Sequence, residues 1–213
     1  MSKAFWAVIA IIVVIFGGIL LFHSNKAAAP TNANGASPTS HTEGNGKTGV
    51  TLLEYGDYEC PYCGQYYPTV KQVAAKYNDQ ITFQFRNLPL VQIHQNALAS
   101  ARAAEAAGMQ GKFWEMHDLL YENQQQWVQS NVAEGIFDQY ATSLGLNLTQ
   151  FKSDYASDKV NNSINADINA FQKTGQEEST PTFFLDGKLV RPGNTVDAFS
   201  SLIDAEIAAK TKK

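Results

Sequence analysis

Cysteine is nearly absent from this chain: 213 residues hold only two. Methionine and tryptophan occur three times each and histidine four times. A disulfide-stapled secreted scaffold needs several cysteine pairs, so that class is excluded. A structural zinc site needs four ligands. His23 and His41 fall in a polar stretch apart from the rest, leaving His94 and His117 beside one thiol pair, so no metal is expected. No run of basic residues occurs, and 16 Lys+Arg against 20 Asp+Glu give a formal net charge of −4. A nucleic-acid partner held by positive charge is therefore excluded.

The segment Ala4 to Phe22 lacks any polar side chain over nineteen residues, with Lys3 before it and Lys26 after. As a helix it would be about 28 Å long, close to the roughly 30 Å hydrocarbon core of a bilayer. It reads as a signal anchor over 1–22, placing the rest of the chain on the extracytoplasmic side of the cell membrane. The alternative is a cleaved signal peptide with Ala27-Ala28-Ala29 as the cleavage site, giving a secreted or periplasmic product. Residues 23–48 lack side chains able to build a core and read as a flexible linker. Residues 49–213 are enough for one domain of ordinary size.

Within that domain, Val50 to Tyr55 reads as a buried strand and Ile81 to Asn87 alternates as a second. A helix between them makes a parallel βαβ unit. The middle, about 94–175, is helical: Asn96 to Ala107, Lys112 to Asn123, Asn131 to Leu144, and Thr149 to about Lys173 with a break near Ser157. The period then returns to two. Thr182 to Leu185 is a strand, Asp186-Gly187 a hairpin turn, Lys188 to Arg191 the returning strand, and Thr195 to Ala209 a closing helix. The fold class is α/β, with a helical block inserted between a βαβ unit and a ββα unit.

Both cysteines stand where the first strand gives way to the first helix, as Cys60-Pro61-Tyr62-Cys63. Pro61 suits the first helical position, where its missing N–H leaves nothing unpaired. A sulfur at a helix N-terminus faces unpaired N–H groups and the positive end of the helix dipole, which favours the reactive thiolate. Cys60 is thus the expected nucleophile, the more exposed sulfur, and Cys63, one turn in, the resolving thiol. A disulfide spanning two residues constrains the unfolded chain little, so a structural staple is a poor account of the pair. Asp57 and Glu59 are expected to be surface charges that oppose the thiolate. His94 is expected to cap or pack, and His117 to be structural or exposed. Glu54, an acid in an apolar strand, is either a buried group of raised pKa or a solvated strand-end charge.

Taken together, Glu54-Tyr55-Gly56-Asp57-Tyr58-Glu59-Cys60-Pro61-Tyr62-Cys63, Gln110-Gly111-Lys112-Phe113-Trp114 and Ser179-Thr180-Pro181-Thr182-Phe183 resemble the DsbA-like thiol–disulfide oxidoreductases of the thioredoxin fold. The resemblance spans essentially the whole domain. It implies an enzyme that introduces or exchanges disulfides in exported, cysteine-containing proteins, with the Cys60–Cys63 disulfide itself as the redox group and no other cofactor. A reductase or isomerase using the same site, and a non-catalytic peptide-binding domain, are the alternatives. The resemblance also makes Pro181 a cis-proline facing the thiol pair, Thr180 a backbone partner for an extended substrate, and Glu54 the buried acid beneath the resolving thiol. It implies a membrane-embedded reoxidising partner of the DsbB or vitamin-K-epoxide-reductase-like kind. Where DsbA carries Pro-His between its cysteines this chain has Pro-Tyr. Tyr62 supplies no cation, so a less oxidising pair than that of DsbA is expected.

Overall fold

The computed structural model describes residues 35–212, so the expected anchor and the first part of the expected linker lie outside the described residues. Among the described residues no helix is long and apolar enough to cross a membrane. Five strands form one sheet in the order β1-β3-β2-β4-β5: β1 (His41–Glu43), β2 (Val50–Gly56), β3 (Ile81–Asn87), β4 (Thr182–Leu185) and β5 (Lys188–Val190). Helix α1 (Pro61–Lys76) joins the parallel pair β2 and β3. Strand β4 runs antiparallel to β2, and the β4–β5 hairpin turns at Asp186-Gly187. Asp186 takes φ +48 and Gly187 φ +77, the left-handed pair that such a tight turn requires.

The alternation of β2 decides what faces α1. Val50, Leu52 and Glu54 share one face, beside Ile81, Phe83 and Phe85 of β3 and Phe183 and Leu185 of β4 in register. Helices α1 and α8 (Val196–Thr211) cover this face through Val70, Val73, Phe199 and Ile203. On the other face, Tyr55 and Phe184 meet Phe171 of α7 (Asp158–Gln172). The central strand is therefore buried on both sides, as expected where both faces of a sheet carry helices.

The helical block comprises α2 (Ala97–Gly108), α3 (Phe113–Glu122), α4 (Gln124–Trp127), α5 (Ala133–Ser143), α6 (Leu148–Tyr155) and α7 (Asp158–Gln172). Its alanine-rich helix α2 buries Ala103, Ala104, Ala106 and Ala107 against Phe113, Leu120, Trp127 and Phe137. The break near Ser157 separates α6 from α7, and the Ser157 hydroxyl caps α7 by accepting from the Val160 N–H. Two starts differ from expectation. Helix α6 begins at Leu148 rather than Thr149, with the Asn147 side chain capping it by accepting from the Gln150 N–H, and α5 begins at Ala133 rather than Asn131.

The expected linker gives way to the domain before Gly49. Residues His41–Glu43 pair antiparallel with Phe83–Phe85. This strand is wholly polar, and distant partners hold it. The Thr39 N–H and hydroxyl both donate to the Asp167 carboxylate at 2.7 Å. His41 contacts Glu105 at 2.9 Å and stacks on Phe113 with ring centroids 3.4 Å apart. Asp167 also accepts from the Asn87 N–H at 3.0 Å, so one buried carboxylate ties the strap to β3 and α7.

Asp167→Ala would strand three donors that are buried or partly so, each costing ~1–3 kcal/mol when unpaired. The expected loss, read by urea unfolding, is on the order of 3 kcal/mol, and less for Asp167→Asn, which retains an acceptor oxygen. A loss below about 0.5 kcal/mol, the usual range of a surface change, would show that the strap is not held this way.

Candidate active site

Cys60 is the N-cap residue of α1, with extended backbone at φ −63 and ψ 122, and Pro61 follows at the first helical position. The turn before it closes through a bond from the Cys60 N–H to the Asp57 carbonyl at 3.1 Å. Both thiols are free. Cys60 is 4% exposed and Cys63 1%. The Thr180–Pro181 peptide bond is cis and places the Thr180 carbonyl against the pair, where it accepts from the Cys60 thiol at 3.4 Å.

The two sulfurs differ sharply in acidity. Cys60 is held down to about 6, first by a hydrogen bond from the Cys63 thiol. Desolvation opposes this, while the Thr180 hydroxyl and the N–H groups of Cys63 and Tyr62 add further donors. The Thr180 Oγ1 is buried with no partner among the described residues while Cys60 is a thiol. It is thus free to donate once the sulfur ionises. Cys63 is raised well above the ordinary thiol value, first by burial, then by its bond to Cys60 and by the charges of Cys60 and Glu54. One sulfur is built to be a thiolate and the other to keep its proton.

Glu54 lies on the α1-facing side of β2, 4% exposed, between Phe85 and Phe183 in register. Burial pushes it up to about 8, and the negative charge on Cys60 adds to the rise. The carboxyl is therefore protonated or half-protonated near neutrality and close enough to couple electrostatically with both sulfurs. Tyr62, by contrast, is 63% exposed and stands at the mouth of the site. A groove of about 540 Å³ runs past it, lined by Tyr66, Thr180, Pro181, Val190, Arg191 and Pro192 among others.

Asp57 and Glu59 are buried, contrary to the expectation of surface charges. Asp57 accepts from the Glu59 N–H at 2.9 Å and the Leu90 N–H at 3.0 Å, and meets His94 Nδ1 at 2.6 Å. Glu59 accepts from the Asn96 N–H, supplying the N-terminus of α2 with the acceptor that Asn96 itself does not provide. Both carboxylates are committed to backbone donors of the β3–α2 connection, so they brace the turn. His94 belongs to this brace. His117 is buried, bonded to the Tyr58 hydroxyl at 3.0 Å and lowered to about 3, chiefly by desolvation. It is a neutral core residue.

Gln124, on the short helix α4, has no counterpart among the expected residues. Its side-chain amide donates to the carbonyls of Tyr58 at 2.7 Å and Cys60 at 2.9 Å. A Cβ on Gly64 would lie 2.5 Å from the Gln124 Oε1, so glycine at that position admits the brace. The sole hint in the sequence is a glycine directly after a cysteine in a helix.

A family model described as Thioredoxin matches residues 36–205. A curated protein named Na(+)/H(+) antiporter NhaA 1, from Salinispora arenicola, is 36% identical over 168 residues, which is 79% of this chain and 25% of that protein. The chain thus spans about a quarter of the length of such curated relatives. Among solved structures, a thioredoxin-like oxidoreductase from Silicibacter pomeroyi is 26% identical, with a TM-score of 0.66 over 84% of this chain and 98% of that one. The α-DsbA1 protein of Wolbachia pipientis is 18% identical and shares the fold, with a TM-score of 0.69 over 83% of this chain and 94% of the other.

Two measurements follow from the site. Iodoacetamide should label Cys60 in the reduced chain with a midpoint near pH 6, well under the ordinary ~8.5, and spare Cys63. Equal labelling of both would remove the assigned asymmetry. For Glu54, the folded carboxyl binds its proton more tightly than the unfolded one, so the fold holds more protons between about 4.5 and about 8. Stability should therefore fall as pH rises through that window, by up to about 1.4 kcal/mol per pH unit. Glu54→Gln should flatten this slope, matching the parent near pH 4.5 and exceeding it near pH 8.5 in urea unfolding. Parallel stability curves would mean that Glu54 is solvated.

Proposed function

We propose that this chain, which belongs to the thioredoxin family, uses Cys60 and Cys63 to introduce disulfides into exported proteins on the extracytoplasmic side of a membrane. Its fold, shared with a thioredoxin-like oxidoreductase and with α-DsbA1, supports thiol–disulfide exchange as its reaction. The observation that carries the direction is the split between Cys60, held down to about 6, and Cys63, raised well above the usual thiol value. A stabilised Cys60 thiolate favours the reduced enzyme, and a protein whose reduced form is favoured is an oxidant of other thiols.

In the forward cycle a substrate thiolate attacks the Cys60 sulfur of the Cys60–Cys63 disulfide. A substrate–Cys60 bond forms, and Cys63 leaves with the electron pair and takes up a proton, for which the buried Glu54 carboxyl, coupled electrostatically to Cys63, is a donor. A second substrate thiolate then attacks the substrate sulfur, and Cys60 leaves as a thiolate. The substrate has lost two electrons and the enzyme has gained them. The groove along Thr180 and Pro181 would hold the substrate as an extended segment, with Tyr62 at its mouth. Return to the disulfide needs an oxidant, and a quinone-linked membrane protein of the DsbB or vitamin-K-epoxide-reductase-like kind would supply it.

The apolar segment Ala4 to Phe22 supports tethering to the cell membrane. A match inside proteins named as ion antiporters is in keeping with work beside a membrane, and antiport itself is not proposed for a chain a quarter as long.

Cys63→Ser should accumulate mixed disulfides on Cys60 in an oxidising compartment, because nothing is left to resolve them, while Cys60→Ser should accumulate none. Non-reducing gels of the two variants read the outcome. Adducts on the Cys60→Ser chain alone would reverse the assigned roles, and none on either would contradict the function.

A further inference from the structure

The groove beside the thiol pair carries two charges that the exchange cycle leaves unused. The connection from α7 to β4 contributes Gln176, Glu177 and Ser179 to its lining, and β5 with the residues after it contributes Val190, Arg191 and Pro192. Its volume of about 540 Å³ lies within the roughly 300–1,000 Å³ of a small-ligand site, room for a few side chains of an extended segment. Among the lining residues Arg191 is the cation and Glu177 the anion.

The chain has three arginines. Arg86 donates to the Thr39 carbonyl and the Tyr55 hydroxyl, and Arg102 donates to the Asn161 side chain. Arg191 is exposed and has no hydrogen-bond or ion-pair partner among the described residues, and the exposed Glu177 carboxylate has none either. The two therefore do not neutralise each other. The backbone that carries Arg191 is fixed on both sides. Val190 pairs in register with Phe183, and the carbonyl of buried Pro192 accepts from the Tyr66 hydroxyl at 3.1 Å. Asn194 then donates to the Gln65 carbonyl at 2.9 Å, tying the same stretch to α1. A guanidinium with unused donors, set on a held backbone, matches a carboxylate by two parallel hydrogen bonds.

We propose that Arg191 is a specificity-determining residue, favouring substrate segments that carry an acidic side chain close to the reacting cysteine. Glu177 sets the converse preference, for a basic side chain at a different position of the same segment. The inference rests on the thiol-exchange function above. The exchange chemistry is unchanged: the segment's two thiols lose two electrons to the Cys60–Cys63 disulfide, and the charges act on docking alone. The formal net charge of −4 would by itself favour basic segments whatever the position of the charge. Selection in the groove differs because it is local, and because at Arg191 it has the opposite sign.

The test uses the full oxidised chain and dithiol peptides blocked at both ends, so that a side chain is the only carboxylate. Each position flanking the attacking cysteine carries Glu or Lys in turn, and stopped flow reads the rate of peptide oxidation. The Glu/Lys rate ratio is compared between proteins, which cancels the effect of the charge on the peptide's own thiol and any general change in activity. At one position the ratio should be about fivefold higher for wild type than for Arg191→Gln, and lower again for Arg191→Glu. At a different position Glu177→Lys should raise it. Salt at about 0.5 M should bring the proteins together. Ratios that agree across the proteins at every position overturn the proposal. So does a shift of equal size at every position, which marks net charge and not a contact in the groove. A wild-type chain that oxidises none of the peptides would instead overturn the functional reading, and this one with it.

Discussion

The hydrogen bond from the Cys63 thiol to the Cys60 sulfur is the contact on which the site depends. It exists because the sulfurs lie one turn apart at the start of a helix, with Cys60 as cap and Cys63 inside. The same bond that favours charge on one sulfur opposes it on the other. Much of the surrounding structure keeps the geometry in place. Gln124 fixes the carbonyls of Tyr58 and Cys60, Asp57 and Glu59 fix the connection that follows β3, and the cis bond before Pro181 brings the Thr180 carbonyl to the sulfur.

Beneath that contact the fold tolerates a costly group. A carboxyl at the centre of an apolar sheet face pays desolvation whenever it ionises. Glu54 avoids most of that cost by holding its proton up to about 8, and its charge is coupled to both sulfurs of the pair. Its neighbours in register, Phe85 and Phe183, offer no countercharge. The polar side chains of Lys71 and Asp118 line the same recess as Glu54.

The thiol pair and the βαβ…ββα order were legible because each leaves a local mark, two cysteines at a strand–helix junction and a change of period, whereas the cis-proline followed only from the family resemblance around Ser179 to Phe183. The edge strand His41–Glu43 left none. Its three residues are polar, and what holds it is Asp167 and Glu105, far along the chain. Asp57 and Glu59 were misread for a related reason: a carboxylate that serves buried backbone N–H groups looks, in sequence, like any surface acid. Gln124 acts through a single side-chain amide aimed across the interface between the helical block and α1, and no spacing rule encodes that direction.

The central claim is that the structure favours the Cys60 thiolate, and so the reduced enzyme. Its most direct test is the reduction potential of the Cys60–Cys63 pair, measured by equilibration in glutathione buffers. Lowering the nucleophile's pKa by one unit shifts such a couple by about 30 mV towards oxidising strength. Without the cation that histidine supplies in DsbA, the potential should fall between about −270 mV, the value of thioredoxin, and about −120 mV, that of DsbA. A potential at or below about −270 mV would contradict the account, since the pair would then act as a reductant despite its acidic Cys60.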